Sequence, residues 1–250
     1  MVYFVGAGSG AADLITVRGQ KLLQSADVII YAGSLVNPEL LEYKKAECVV
    51  HNSAFMTLEE VIEVMKNSEE QGRTTVRLHT GDPSIYGAIK EQFDELDKLN
   101  IAYEVCPGVS SLFGAASSLK LEYTLPNVSQ TVIVTRMEGR TPVPESERIE
   151  VLASHGATMV IFLSTGMLEE LSQRLIEGGY SADTPAAIVY KATWADEKKV
   201  YCTVETLAQS AKKENITKTA LVIVGDVLTG EGERSLLYHP NFTTEFRQGK

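Results

Sequence analysis

Five short apolar runs in the N-terminal part of the chain constrain the fold more than any other feature. Residues 2–5 (VYFV), 27–31 (DVIIY), 47–51 (ECVVH), 75–79 (TVRLH) and 102–106 (AYEVC) are rich in β-branched and aromatic residues, and turn residues bound them. Segments of helical length separate them. Thr57 stands three residues before Glu60, a capping-box spacing, and Leu58, Val61, Ile62 and Met65 then recur at helical intervals until Gly72. Residues 85–99 read the same way, with Ile89, Phe93 and Leu96 inward, and further helices are expected from near Thr16 and near Ser110. Strands that alternate with helices run parallel, because a parallel crossover needs a dozen or more residues, and such a sheet is covered on both faces. The fold class is α/β, and this half is a mostly parallel five-stranded sheet.

The stretch 120–127 (KLEYTLPN) has no period and holds a proline, which places a linker over residues 120–129. The expected organisation is an N-terminal α/β domain over 1–119, a C-terminal α/β domain over 130–230 and a peripheral tail over 231–250. In the second domain strands are expected at 131–135, 158–163, 186–191, 200–203 and 220–224, with helices at 167–177 and 204–213. A polar turn separates 186–191 from 200–203, so these two form an antiparallel hairpin and the sheet is mixed.

Composition narrows the function classes. The chain has 250 residues and a formal net charge of −10, which argues against a nucleic-acid surface and favours a small-molecule substrate. No apolar run approaches the ~20 residues that span a bilayer, and the start lacks the pattern of a secretory leader, so a cytoplasmic protein is expected. Cys48, Cys106 and Cys202 lie far apart, as do His51, His79, His155 and His239, with no zinc-ligand spacing, and no protein-held metal is expected.

Three loops carry chemistry. In VGAGSGAAD, Gly6, Gly8 and Ala11 match the letters of a dinucleotide-binding turn, which would make the chain an NAD(P)-dependent oxidoreductase. The context does not match. The next helix is expected only near Thr16, and the second strand ends Tyr31-Ala32-Gly33 without the acid that would hold a ribose. The fourth strand ends in His79-Thr80-Gly81-Asp82-Pro83, where glycine admits close backbone approach at the strand edge that binds ligands in open α/β sheets. Asp82 there is either a ligand contact or a cap for the following turn. The fifth strand ends in Cys106-Pro107-Gly108-Val109-Ser110-Ser111, with Ser110 also a good helix cap.

Taken in order, VGAGSGAADLITVRG, ADVIIYAGSLV, RLHTGDPSIYG and CPGVSS resemble the tetrapyrrole methylases, which transfer methyl groups from S-adenosylmethionine. VTRMEGRTPVPESE and VYKATWADEKKV resemble the branch that acts on corrin precursors in cobalamin biosynthesis. The resemblance spans residues 1–230. Ser9 and Ala12 stand where prolines are common in the family.

The resemblance implies two α/β domains with the cofactor folded into the cleft between them, and S-adenosyl-L-homocysteine as product. Its cofactor contacts would be Thr80, Gly81, Asp82, Ile85, Ser110 and Ser111, joined by Leu163, Ala192, Thr193 and Ala220. Ser9 and Gly10 would line the rim of the substrate trough. A corrin precursor carries many carboxylates, so Arg18, Arg136, Arg140 and Lys191 are the candidate substrate contacts, each weighed against a solvated surface role. No base is assigned. A homodimer is implied, with neither nucleic acid nor membrane as partner. The remaining readings are methylation of another tetrapyrrole position, the oxidoreductase, and a non-catalytic tetrapyrrole carrier.

Overall fold

In a computed structural model of the chain, all residues are described except 140, 231, 234, 236, 237 and 250, and Ser34 without its side chain. The chain divides into two units. One comprises Met1–Gly114 with Ala192–Asp196, and the other Ala115–Lys191 with Glu197–Lys250.

The first unit is built on five parallel strands, β1 (Val2–Gly6), β2 (Val28–Tyr31), β3 (Val49–Asn52), β4 (Thr75–His79) and β5 (Tyr103–Cys106), in the order β3-β2-β4-β1-β5. Alternate residues face opposite sides, so each face buries its own core. Val5, Ile29, Val76 and Leu78 pack with Leu23 of helix α1 (Val17–Ser25) and with Leu40, while Val2, Phe4, Val28 and Ile30 pack under helices α2 (Leu58–Glu70) and α3 (Lys90–Lys98).

The start signals work as the sequence predicts. The Gly19 N–H donates to Thr16 Oγ1 (3.0 Å) at the head of α1. At α2 the Glu60 N–H donates to Thr57 Oγ1 (3.3 Å) while the Thr57 N–H donates to Glu60 Oε2 (2.8 Å), a complete capping box.

Residues 85–89 depart from the expected helix over 85–99. Tyr86 (φ 55°) and Ala88 (φ 49°) are left-handed, and α3 begins only at Lys90. A Cβ on Gly87 would lie 2.1 Å from the Pro83 carbonyl oxygen, so the chain turns tightly there. Gln92 Nε2 then donates to the Ala88 carbonyl (3.0 Å).

Helix α4 (Ser111–Leu119) runs across the division between the units. The second unit holds β6 (Val132–Arg136), β7 (Thr158–Phe162), β8 (Pro185–Tyr190), β9 (Lys198–Thr203) and β10 (Ala220–Val224), in the order β6-β7-β10-β8-β9. Only β6 and β7 pair in parallel, and β8 and β9 form the expected hairpin, so the sheet is mixed. Met159, Ile161, Ile188 and Val222 pack against α5 (Ile149–Ala153), α6 (Leu168–Glu177) and α7 (Leu207–Lys213). Sequence reasoning missed α5, whose N-cap Arg148 makes no side-chain cap hydrogen bond. Among the described residues, no helix is long and apolar enough to cross a membrane.

Candidate active site

Because β1, β4 and β5 are parallel neighbours, their C-terminal ends lie together and their loops meet at one edge of the first sheet. The meeting is closer than side chains allow. A Cβ on Gly108 would lie 2.2 Å from the Gly81 carbonyl oxygen and 2.7 Å from Gly6 Cα, and one on Gly6 would lie 2.5 Å from Gly108 Cα. Backbone bonds lock the contact, with the Gly8 N–H donating to the Gly81 carbonyl (3.2 Å) and the Gly81 N–H to that of Gly8 (3.0 Å).

Asp82 ties two of these loops. Its Oδ2 accepts from the Gly108 N–H (2.8 Å), and its Oδ1 accepts from the Ser84 N–H (2.9 Å) and the Ser84 hydroxyl. Burial pushes the carboxyl up, but the hydrogen bonds from Ser84 and Gly108 outweigh it and hold Asp82 below the usual carboxylate range. Of the two readings, the structure shows the cap: the same carboxylate holds the turn at Ser84 and ties the loop after β4 to the loop after β5. Asp82→Asn leaves one acceptor where the carboxylate presents two, so it is expected to cost about 1 kcal/mol in denaturant unfolding. Unchanged stability would show that the tie contributes nothing.

Beneath the edge, β4 carries a polar row facing α2 and α3. Thr75 Oγ1 donates to Ser68 Oγ (2.8 Å), and Arg77 Nε donates to Gln92 Oε1 (3.1 Å) while its Nη1 donates to the Ile30 carbonyl (3.2 Å). His79 is 4% exposed, stacks on Phe4 at 5.8 Å, and its Nε2 has no hydrogen-bond partner among the described residues. Burial, aided by the Arg77 charge, pushes its pKa down to about 3, so His79 is a neutral imidazole at physiological pH. Neither His79 nor the Gly6–Gly108 contact appears among the sequence-derived site residues. The alternation of Thr75, Arg77 and His79 with Val76 and Leu78 was the available signal, since a central parallel strand is ordinarily apolar on both faces.

Of the cofactor candidates, Thr80, Gly81, Asp82, Ile85, Ser110 and Ser111 all lie in the two loops after β4 and β5 or at the start of α4. Ala192 and Thr193 belong to the same unit, through its Ala192–Asp196 segment. Leu163 and Ala220 are in the second unit, where β7 ends beside the start of antiparallel β10. Leu163 is left-handed (φ 54°) and 66% exposed, and Thr165 Oγ1 donates to the Ala220 carbonyl (3.2 Å).

The substrate candidates are more scattered. Ser9 and Gly10 are buried, with Ser9 Oγ 3.0 Å from Thr193 Oγ1. Arg136 donates to three carbonyls of its own loop, Met137 (3.0 Å), Thr141 (3.2 Å) and Pro142 (2.9 Å). Lys191 lies with its Nζ 5.5 Å from the Tyr190 ring centre, Arg18 is exposed on α1, and Arg140 lies outside the described residues. The glycine loop leads only into a single 3-10 turn (Ala12–Leu14), and α1 begins at Val17, so the strand–turn–α-helix arrangement of a dinucleotide-type pyrophosphate cradle is not formed by these residues.

Residues 1–208 match the family model of the Tetrapyrrole (Corrin/Porphyrin) Methylases. The chain belongs to the tetrapyrrole methylases. This methylase is 57% identical over 248 residues to the cobalt-precorrin-4 C(11)-methyltransferase of Methanocaldococcus jannaschii, covering 99% of this chain and 96% of that protein. Its structure is similar to the X-ray structure of a cobalamin biosynthetic enzyme, cobalt precorrin-4 methyltransferase, with a TM-score of 0.89 and 46% identity over 91% of this chain and 95% of the other. It is also similar to the uroporphyrin-III C-methyltransferase of Thermus thermophilus solved with S-adenosyl homocysteine (TM-score 0.74, 25% identity, 93% and 95% covered).

The edge of this tetrapyrrole methylase fits a polar ligand that approaches the backbone closely. Thr80 Oγ1 is buried without a hydrogen-bond partner among the described residues, directly before the side-chain-free Gly81. A ligand hydroxyl, amine or carboxylate there would satisfy it.

Proposed function

We propose that this methylase transfers the methyl group of S-adenosylmethionine to carbon 11 of precorrin-4 or cobalt-precorrin-4 in cobalamin biosynthesis. The observation that carries this reading is the full-length likeness to a cobalt-precorrin-4 C(11)-methyltransferase, at 57% identity over 99% of the chain. When bound, S-adenosylmethionine supplies an electrophilic methyl carbon on a sulfonium. A nucleophilic ring carbon of the tetrapyrrole forms the new carbon–carbon bond as the methyl–sulfur bond breaks, the electron pair stays on sulfur, and a proton leaves the product.

The protein's task is alignment and exclusion of water rather than covalent participation. Thr80, Gly81, Asp82, Ile85, Ser110, Ser111, Ala192 and Thr193 of the first unit hold the cofactor in this reading, with Leu163 and Ala220 of the second. The unsatisfied Thr80 hydroxyl supports the first group. Arg18, Arg136, Arg140 and Lys191 answer the substrate carboxylates, with Ser9 and Gly10 at the rim. The chain works as a cytoplasmic homodimer, a proposal that rests on the family resemblance and is checked by light scattering on the eluted protein.

The decisive experiment incubates the protein with methyl-labelled S-adenosylmethionine and either precorrin-4 or its cobalt form, and locates the label by NMR. Label at carbon 11 is expected. Label at another carbon assigns a different tetrapyrrole position, and an unlabelled product leaves a carrier rather than an enzyme.

A further inference from the structure

The glycine loop that begins the chain is filled by the chain itself. Ala192–Asp196 groups with the first unit although residues 191 and 197 group with the second. Its seat is shaped by missing side chains. A Cβ on Gly10 would lie 2.3 Å from Trp194 Cδ1 and 2.6 Å from the Ala192 carbonyl oxygen. One on Gly114 of α4 would lie 2.6 Å from Ser9 Cβ and 3.4 Å from Thr193 Cγ2.

Thr193 is the pin of this seat. It holds a left-handed backbone (φ 68°), which a β-branched residue adopts only when its surroundings impose it. What imposes it is visible in the hydroxyl. The Ala11 N–H donates to Thr193 Oγ1 (3.1 Å), and Ser9 Oγ lies 3.0 Å from the same atom. A side chain so committed to protein partners acts through its backbone, which sets the course of Ala192 and Trp194.

We infer that Thr193 is a positioning residue: its hydroxyl, held by Ala11 and Ser9, seats residues 192–196 in the glycine loop and thereby places the backbone at Ala192 for the cofactor. The inference rests on the reading of this site as a place for S-adenosylmethionine. It assigns the glycine loop to the chain's own distant segment, and it gives Ser9, at a position where proline is common in the family, a partner for its hydroxyl.

Thr193→Val keeps the shape and removes the acceptor, whereas Thr193→Ser keeps the acceptor. Trp194 is the only tryptophan in the chain, so its emission reports the seat without any ligand. Thr193→Val is expected to shift that emission to the red and to weaken S-adenosylhomocysteine binding in calorimetry about tenfold, with the KM for S-adenosylmethionine rising in parallel. Thr193→Ser restores both emission and affinity. A merely structural residue would lower the melting temperature and leave the affinity for S-adenosylhomocysteine in the folded protein unchanged. Wild-type affinity and emission in Thr193→Val overturn the inference, as does an equal loss in Thr193→Ser. Wild-type protein that binds no S-adenosylhomocysteine overturns the functional reading and this inference with it, while an emission shift without an affinity change overturns only the link from seat to cofactor.

Discussion

Gly108→Ala is expected to destabilise the protein by about 3 kcal/mol and to abolish S-adenosylhomocysteine binding, as read by denaturant unfolding and calorimetry. The new methyl carbon would stand 2.2 Å from the Gly81 carbonyl oxygen and 2.7 Å from Gly6 Cα. Both obstacles are backbone, so no rotamer change relieves the clash, and Gly81 is further tied to Gly8 through two hydrogen bonds. Relief requires the loops after β4 and β5 to separate, which also breaks the Asp82 bond to the Gly108 N–H. Gly156→Ala is the control for a glycine whose added Cβ meets nothing within 4 Å, although its positive φ (58°) adds a local backbone penalty of its own. If Gly108→Ala unfolds at the wild-type midpoint, the three loops are not in the contact described.

The second large effect is a loss of stability in mild acid that belongs to His79. Its folded pKa is about 3, whereas a histidine in the unfolded chain titrates near 6.5. Above the unfolded value neither state binds the proton and His79 contributes nothing to the pH dependence. As the pH falls below it, only the unfolded state takes up the proton, so stability declines until the folded pKa is reached. At pH 5 the loss is about 2 kcal/mol, which lowers the melting temperature by roughly 4–8 °C in a chain of this size. His79→Phe keeps an aromatic ring against Phe4 and removes the titration, so the difference between wild type and variant should open between pH 7 and pH 5. Parallel stability curves over that range would place His79 in contact with solvent.

Much of the fold is legible in the sequence because its signals are local. The capping box of Thr57 and Glu60 lies within four residues, and the runs at 75–79 and 220–224 are bounded where the strands β4 and β10 begin and end. Local signals also mislead. Ile85, Ile89, Phe93 and Leu96 keep helical spacing, yet the close approach of Gly87 to Pro83 stops the helix from starting before Lys90. No periodicity measure registers a contact of that kind.

The candidate edge is half legible for the same reason. Thr80-Gly81-Asp82 and Ser110-Ser111 sit on strand ends, and a parallel sheet brings strand ends together, so topology alone gathers them. The bond from Gly108 to Asp82 joins two such loops and follows once they are adjacent. The seating of Thr193 on Ser9 and Ala11 has no such route. It spans 184 residues, and nothing near either partner announces the other. The alternation of Arg77 and His79 within β4 was visible, but only burial turns it into a neutral histidine.

The long span of that seat has a consequence for synthesis. Chains emerge from the ribosome at ~5–20 residues per second, and domains ordinarily fold as they emerge. Here all five strands of the first sheet are out of the tunnel well before residues 192–196, so the glycine loop waits without Trp194 against Gly10 and without Thr193 on Ser9 and Ala11. The first unit reaches its final form only after most of the second has been made. Nascent chains arrested short of residue 192 should therefore carry a folded parallel sheet with a protease-sensitive loop at 8–11, and those arrested beyond the last strand should not.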